Sequence, residues 1–153
     1  MKSQKIYIDN SVLGGYFDEE FEDDTKKFFD KVKKGDYKIV ISDITESELL
    51  DAPERVKILL NDLNIEYEVV VLADESIALA DEYIKEKVVG QTSRNDCLHI
   101  AIATVARLDL LVSWNFKHIV NIERIRGYNG INIKNGYPLL EIRSPKEVID
   151  YEN

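Results

Sequence analysis

Four polar residues stand where this sequence could do chemistry. Asp9 ends the β-rich run Lys5–Asp9 (KIYID), Glu48 follows Thr45 by three, Asp96 follows Ser93 by three, and Asn115 closes the run LLVSWN. Three carboxylates and an amide oxygen make an all-oxygen donor set, which suits Mg²⁺ or Mn²⁺ rather than zinc. An ion of that kind acidifies a bound water and neutralises developing charge, which is what phosphodiester hydrolysis needs. Each residue also has a plainer reading. Thr45-x-x-Glu48 fits a capping box, Ser93-x-x-Asp96 fits one with Asp in place of Glu, Asp9 can serve a turn, and Asn115 can cap a helix. Ser144-x-x-Glu147 has the same capping pattern with nothing nearby that points to chemistry, and it serves as the structural reference.

Whether the four residues meet depends on the elements that carry them. Residues 5–9, 37–42 (YKIVIS), 67–72 (YEVVVL), 110–113 (LLVS) and 139–143 read as strands. Helical patterns fall between them: Phe21–Lys34, with Phe28, Phe29 and Val32 inward and Gly35 as the stop; Thr45–Ala52; Pro53 to about Leu63; and Asp74, as N-cap, to about Lys87, with Ile77, Ala80 and Ile84 inward. Ser93–Arg107 contains the run CLHIAIATVA, apolar almost all round, so it predicts a helix buried against a sheet. Asn115–Arg126 reads as a helix, 127–137 (GYNGINIKNGY) as a turn-rich connection, and Ser144 caps a C-terminal helix with Pro145 at its first position. Strands alternating with helices predict an α/β fold in three layers, α/β/α, around a central, mainly parallel sheet of about four to five strands. Ligands in such folds bind at the carboxyl ends of the strands, where Asp9 and Asn115 would lie.

The chain has 153 residues, 44% hydrophobic and 32% charged, and is expected to form a single domain, residues 1–153. A lone cysteine, Cys97, leaves no intramolecular disulfide and no cysteine-based metal framework. No stretch approaches the roughly 20 apolar residues of a membrane span, and no apolar signal region precedes the first strand, so a cytoplasmic location is expected. The net charge of −9 opposes binding to phosphate at long range. Bound divalent cations or a basic partner protein would resolve that conflict; otherwise the charge simply keeps a small protein soluble.

Four segments together resemble a PIN domain, the nuclease fold of bacterial and archaeal VapC-type toxins of type II toxin–antitoxin systems. They are IYIDNSVL at 6–13, ISDITESEL at 41–49, NDCLHIAIA at 95–103 and LVSWNFKH at 111–118. No single segment is specific; the four in order, with the intervening elements, span nearly the whole chain. The resemblance implies a PIN-like α/β fold and a metal-dependent ribonuclease using Mg²⁺ or Mn²⁺. Asp9, Glu48 and Asp96 match the family's metal-binding acids, with Glu48 preferred to Glu46 because the family's acid directly precedes the Leu. Asn115 stands where the family usually has Asp, which lowers the formal charge of the site and weakens the case for a second metal. The resemblance also implies an RNA substrate, an antitoxin partner whose basic side chains would meet the acidic pocket, and a homodimer. The alternative is a catalytically weak or inactive PIN-fold binding or scaffold protein, favoured by Asn115 and the acidic charge.

Several neighbours admit two readings. Ser11 can bond the carboxylates or a phosphate, or be a plain turn hydroxyl. His99, one turn beyond Asp96, can support the site or pack in the core; His118 lies near Asn115; Cys97 reads as a small core residue. Trp114 can stack on a base or pack at the strand end. Lys27, Lys31 and Lys34 form a basic stripe that could track a phosphate backbone or simply face water. A haloacid-dehalogenase-type phosphatase would need a second Asp two residues after the first, where this chain has Ser11. A receiver-type signalling domain would cluster its acids near the N-terminus and carry a late lysine.

Overall fold

The computed structural model describes residues 3–88 and 94–150. Its frame is a five-stranded sheet made of β1 (Gln4–Ile8), β2 (Tyr37–Ser42), β3 (Tyr67–Val70), β4 (Leu110–Val112) and β5 (Ile142–Arg143), in the order β3-β2-β1-β4-β5. Every pairing is parallel. The first three strands wind outward one way and the last two the other, so the topological switch lies between β1 and β4, where Ile8 pairs with Val112. A crevice for a ligand is expected outside the carboxyl ends of that pair.

The central strands β2, β1 and β4 are apolar on both sides because both faces are covered there, whereas the edge strand β3 is largely exposed. Ile6, Ile8, Ile39, Ile41, Leu110 and Val112 enter one core, with residues of α1 (Asn10–Gly15), α2 (Glu22–Lys33), α4 (Glu54–Lys57), α5 (Leu59–Asp62) and α9 (Pro145–Asp150). Tyr7, Val40, Leu111 and Ile142, the alternating positions, enter a second core with α6 (Asp74–Lys85), α7 (Arg94–Val105) and α8 (Ile122–Lys134). The period of two along each strand therefore sorts side chains between layers. α3 (Asp43–Leu49) follows β2 directly and packs against both β2 and α7. Among the described residues, no helix is long and apolar enough to cross a membrane.

Several boundaries differ from the sequence reading. The expected helix at 115–126 and connection at 127–137 are replaced by turns to Val120 and a helix, α8, whose N-cap is Asn121; its side chain accepts from the amides of Glu123 and Arg124. Gly127 and Gly130 lower intrinsic helix propensity there, but Tyr128, Ile131 and Asn132 line a buried stripe that outweighs it. Gly127 is small for a reason: a Cβ on it would come within 2.9 Å of Val88 Cγ1. The expected helix from Pro53 breaks into α4 and α5 at Ile58. The third and last strands are shorter than expected, ending at Val70 and beginning at Ile142. Ala73, rather than Asp74, is the N-cap of α6. Ser93, expected to cap α7, lies outside the described residues.

At the end of α1 the backbone runs against Trp114. A Cβ on Gly15 would sit 2.7 Å from Trp114 Nε1 and 2.9 Å from Thr25 Oγ1, two atoms that are themselves hydrogen-bonded at 2.9 Å. Neither can retreat within a packed core, so Gly15→Ala is expected to cost about 1–3 kcal/mol. Gly14→Ala, where a Cβ meets open space, should not destabilise the fold. Urea melts of the two variants check the contrast.

Candidate active site

Asp9 follows the last residue of β1 and is 3% exposed. It occupies the N-cap position of α1 yet makes no side-chain capping bond. Both its oxygens turn instead to hydroxyls: Oδ1 accepts from Ser11 Oγ at 2.5 Å and Oδ2 from Ser113 Oγ at 2.7 Å. Those hydroxyls are themselves held, since Trp114 N donates to Ser11 Oγ and Asn115 N to Ser113 Oγ, each at 2.9 Å. With these amides on their lone pairs, the two serines direct their protons at Asp9. The end of β4 thus clamps the carboxylate at the end of β1. Ser113 was absent from the sequence-based candidates because only the β1–β4 pairing gives it a role.

Glu48 lies in the last turn of α3, and the capping box there is not the expected one. Ser42 is the N-cap, its hydroxyl accepting from Ile44 N and Thr45 N, while Thr45 Oγ1 accepts in turn from Ser42 N. The box lies three residues earlier than the Thr45-x-x-Glu48 pattern predicts, which frees Glu48 from that structural role. Its Oε1 accepts from His99 Nε2 at 2.7 Å and its Oε2 from Asn95 Nδ2 at 3.4 Å. Glu46 is exposed and lines a hollow with Leu13, Leu50 and Val56, away from these partners.

Asp96, in the first turn of α7, is half-buried and accepts from Asn115 Nδ2 at 3.2 Å. Asn115 Oδ1 accepts from His118 N at 3.0 Å. That backbone bond fixes which end of the amide faces Asp96: it is the donor. Asn115 therefore acts as both a turn cap and a partner of Asp96, and its oxygen is already engaged. The reference pair behaves as its pattern implies, with Glu147 N donating to Ser144 Oγ and Ser144 N to Glu147 Oε1.

Burial holds Asp9 and Asp96 above the usual carboxylate range. His99 and the serine hydroxyls pull Asp9 back in part; His99 and His118 do the same for Asp96, while Asp9 and Glu48 push it further up. Burial lowers the proton affinity of His99, but its bond to Glu48 and the charges of Asp9, Glu48 and Asp96 more than offset that, leaving it raised. Carboxylates crowded and desolvated in this way form a field that a cation would relieve, and their donors are the hard oxygens that Mg²⁺ or Mn²⁺ prefer. The donor chemistry fits such an ion at Asp9, Asp96 and Glu48. Among the described residues, however, no three His, Cys, Asp or Glu side chains are gathered into a ready-made metal cage.

The remaining neighbours sort clearly. His99 is 1% exposed and hydrogen-bonded at both nitrogens. His118 Nδ1 is buried and has no hydrogen-bond partner among the described residues. Cys97 is buried, which pushes its thiol up to about 12. Trp114 is packed rather than open: it stacks on Phe21 at 4.3 Å and donates to Thr25. Phe116, edge-on to Trp114, is the exposed aromatic of the group. Lys27, Lys31 and Lys34 share a shallow hollow with Asp24, Asp30 and Asp150, so the stripe is interleaved with acids instead of uniformly basic.

Asn115→Asp tests the charge balance. It would replace a donor to Asp96 with a fourth carboxylate, while a carboxylate oxygen could still cap His118. The metal-free variant is expected to lose about 1 kcal/mol near pH 8, with millimolar Mn²⁺ recovering more stability than it gives the wild type. Thermal melts with and without Mn²⁺ read both effects; identical melts would show that residues 96 and 115 do not interact in solution.

Neither a family model nor a curated protein matches the sequence. Among solved structures, the chain is similar to one in the crystal structure of VapBC2 from Rickettsia felis bound to a DNA fragment from their promoter. The TM-score is 0.58 at 16% sequence identity, covering 92% of this chain and 98% of that chain. At that identity the likeness is one of fold.

Proposed function

We propose that this chain is a PIN-type endoribonuclease dependent on Mg²⁺ or Mn²⁺, with Asp9, Asp96 and Glu48 as cation ligands. The observation that carries the reading is Asp9 itself. A buried carboxylate at the topological switch point caps nothing and is clamped through both oxygens by serines, Ser11 from the first turn of α1 and Ser113 from the end of β4. A second desolvated aspartate lies within reach of its charge. Stability alone does not account for two such acids, since each is costly to bury.

A cation held there would acidify a water and neutralise charge on the phosphodiester. The chain's own residues do the rest. Ser11 and Ser113 fix the Asp9 carboxylate, Asn115 holds Asp96 through its amide N–H, and His99 holds Glu48. With its oxygen on His118 N, Asn115 serves as a positioning residue, which favours one cation over two.

The similarity of fold to a chain of VapBC2 and the four matching segments support a toxin role, paired with an antitoxin. The net charge of −9 suits a partner presenting basic side chains. A cytoplasmic homodimer completes the proposal. A second reading, a PIN-fold binding or scaffold protein without activity, is favoured by the engaged oxygen of Asn115 and by the lack of a ready-made cage among the described residues.

Incubating the purified protein with structured RNA and Mn²⁺ or Mg²⁺, beside an Asp9→Asn control, separates the two. Cleavage that needs both metal and Asp9 supports the nuclease. Equal cleavage by the control identifies a contaminant, and an inert wild type favours the scaffold.

A further inference from the structure

His99 and Tyr7 lie outside the proposed donor set, yet one unbroken hydrogen-bond chain ties them to Glu48. His99 stands three residues after Asp96 on α7, so the two share a helix face. Its surroundings, CLHIAIATV, are otherwise apolar, and a buried imidazole is costly unless both nitrogens are paired. Tyr7 Oη lies 2.5 Å from Nδ1, and Glu48 Oε1 lies 2.7 Å from Nε2.

The direction of the chain follows from counting protons. Ser42 Oγ receives the amides of Ile44 and Thr45, so its own proton goes to Tyr7 Oη, 2.7 Å away. The Tyr7 proton is thereby turned toward His99 Nδ1. That leaves the ring N–H on Nε2, and a protonated ring carries one there as well. In either state the imidazole donates to Glu48.

We infer that Tyr7 and His99 form a buried positioning relay, which holds Glu48 by Oε1 and leaves Oε2, whose partner is the long 3.4 Å bond from Asn95 Nδ2, as the oxygen that would ligate a cation. The relay rests on the proposed metal-dependent reading of the site. Groups that orient a metal ligand from behind commonly change metal affinity by about 10–100-fold when removed. A long Glu side chain on a helix's last turn, only partly buried, has the most to gain from such an anchor.

The test is Mn²⁺ affinity of the full-length protein, read from the electron paramagnetic resonance signal of the free ion. His99→Leu is expected to weaken binding by about 10–100-fold. His99→Gln, whose amide can still donate to Glu48, should recover most of that loss. Tyr7→Phe, which touches no acid of the cluster, should weaken binding several-fold. In a Glu48→Gln background, His99→Leu should change affinity less than twofold, because the group it positions has lost its charge.

Equal losses in both backgrounds, or unchanged affinity in His99→Leu, would overturn the relay and leave His99 as packing. If His99→Leu does not fold, the His99→Gln and Tyr7→Phe variants carry the same comparison: wild-type affinity in both Tyr7→Phe and a Tyr7→Phe, His99→Gln double variant overturns it. Wild-type protein that shows no Asp9-dependent Mn²⁺ binding would overturn the metal reading itself, and the relay with it. Asp9-dependent binding indifferent to His99 and Tyr7 overturns the relay alone.

Discussion

Asp9→Asn is expected to lower metal-dependent RNA cleavage by on the order of a thousandfold, while leaving the metal-free fold at least as stable as the wild type. The first effect follows from removing a proposed charged ligand whose position is fixed in advance; loss of a single preorganised electrostatic group costs about 10²–10³ in rate. The second follows from burial. Asp9 is desolvated and sits in the field of Glu48, so a neutral side chain of the same shape is expected to relieve on the order of 1 kcal/mol. The serine hydroxyls can rotate to meet an amide.

The pH dependence has a definite sign. Asp9 and Asp96 are raised when folded, so the folded chain keeps protons that the unfolded chain releases. Stability from that source is full below the unfolded aspartate value of about 3.9 and is lost as pH rises through the folded values. His99 is also raised, so its contribution is present below about 6.5 and lost as pH rises through its folded value. The metal-free protein should therefore weaken between pH 4 and pH 8, less steeply in Asp9→Asn, and Mn²⁺ should restore most at the higher pH. Urea melts across that range, with cleavage assays on the same samples, check the separation of activity from stability. A variant that lost activity and unfolded together would make Asp9 a structural acid.

Trp114→Ala should produce the largest loss of stability of any change near the site, about 3–5 kcal/mol. The ring is 7% exposed, stacks on Phe21, meets Phe116 at its edge and donates to Thr25. Its backbone amide also holds Ser11, one of the two hydroxyls on Asp9. At about 2–4 °C per kcal/mol for a domain of this size, melting should fall by roughly 6–20 °C. Trp114→Phe keeps the stacking surface and loses only the indole N–H, so it should cost about 1–2 kcal/mol. If instead Trp114→Ala melted within about 2 °C of the wild type and lost RNA affinity, the ring would be a platform for bases, and the packing account would fail.

Much of this was legible in the sequence, for reasons that differ from residue to residue. The α/β class and the strands at Lys5, Tyr37 and Leu110 are visible because strands buried on both faces read as apolar runs, and CLHIAIATVA announces a helix wedged between layers. The stretch after Asn115 was misread because Gly127 and Gly130 look like turn residues, whereas tertiary burial of Tyr128 and Ile131 decides the outcome. The Ser42 box was missed because Thr45 is itself a good cap residue, and the two candidates lie only three positions apart. Asp9, Glu48, Asp96 and Asn115 could be nominated by position. Their partners could not: Ser113 acquires a role only through the pairing of Ile8 with Val112, and Tyr7 reads as one more apolar strand residue until its hydroxyl is seen against His99.

The clamp on Asp9 joins residues 104 positions apart. Such contacts close a long loop and are slow to form compared with local helices and with the nearer β1–β2 pair. A nascent chain that has made β1, β2 and even α7 still lacks β4, and so lacks the hydroxyl and the strand end that hold the carboxylate. The acidic centre is thus finished only once Ser113, 104 positions after Asp9, has been made. For a protein proposed to cut RNA, synthesis itself supplies a delay: Asp9, Glu48 and Asp96 are all made before the strand end that fixes the first of them.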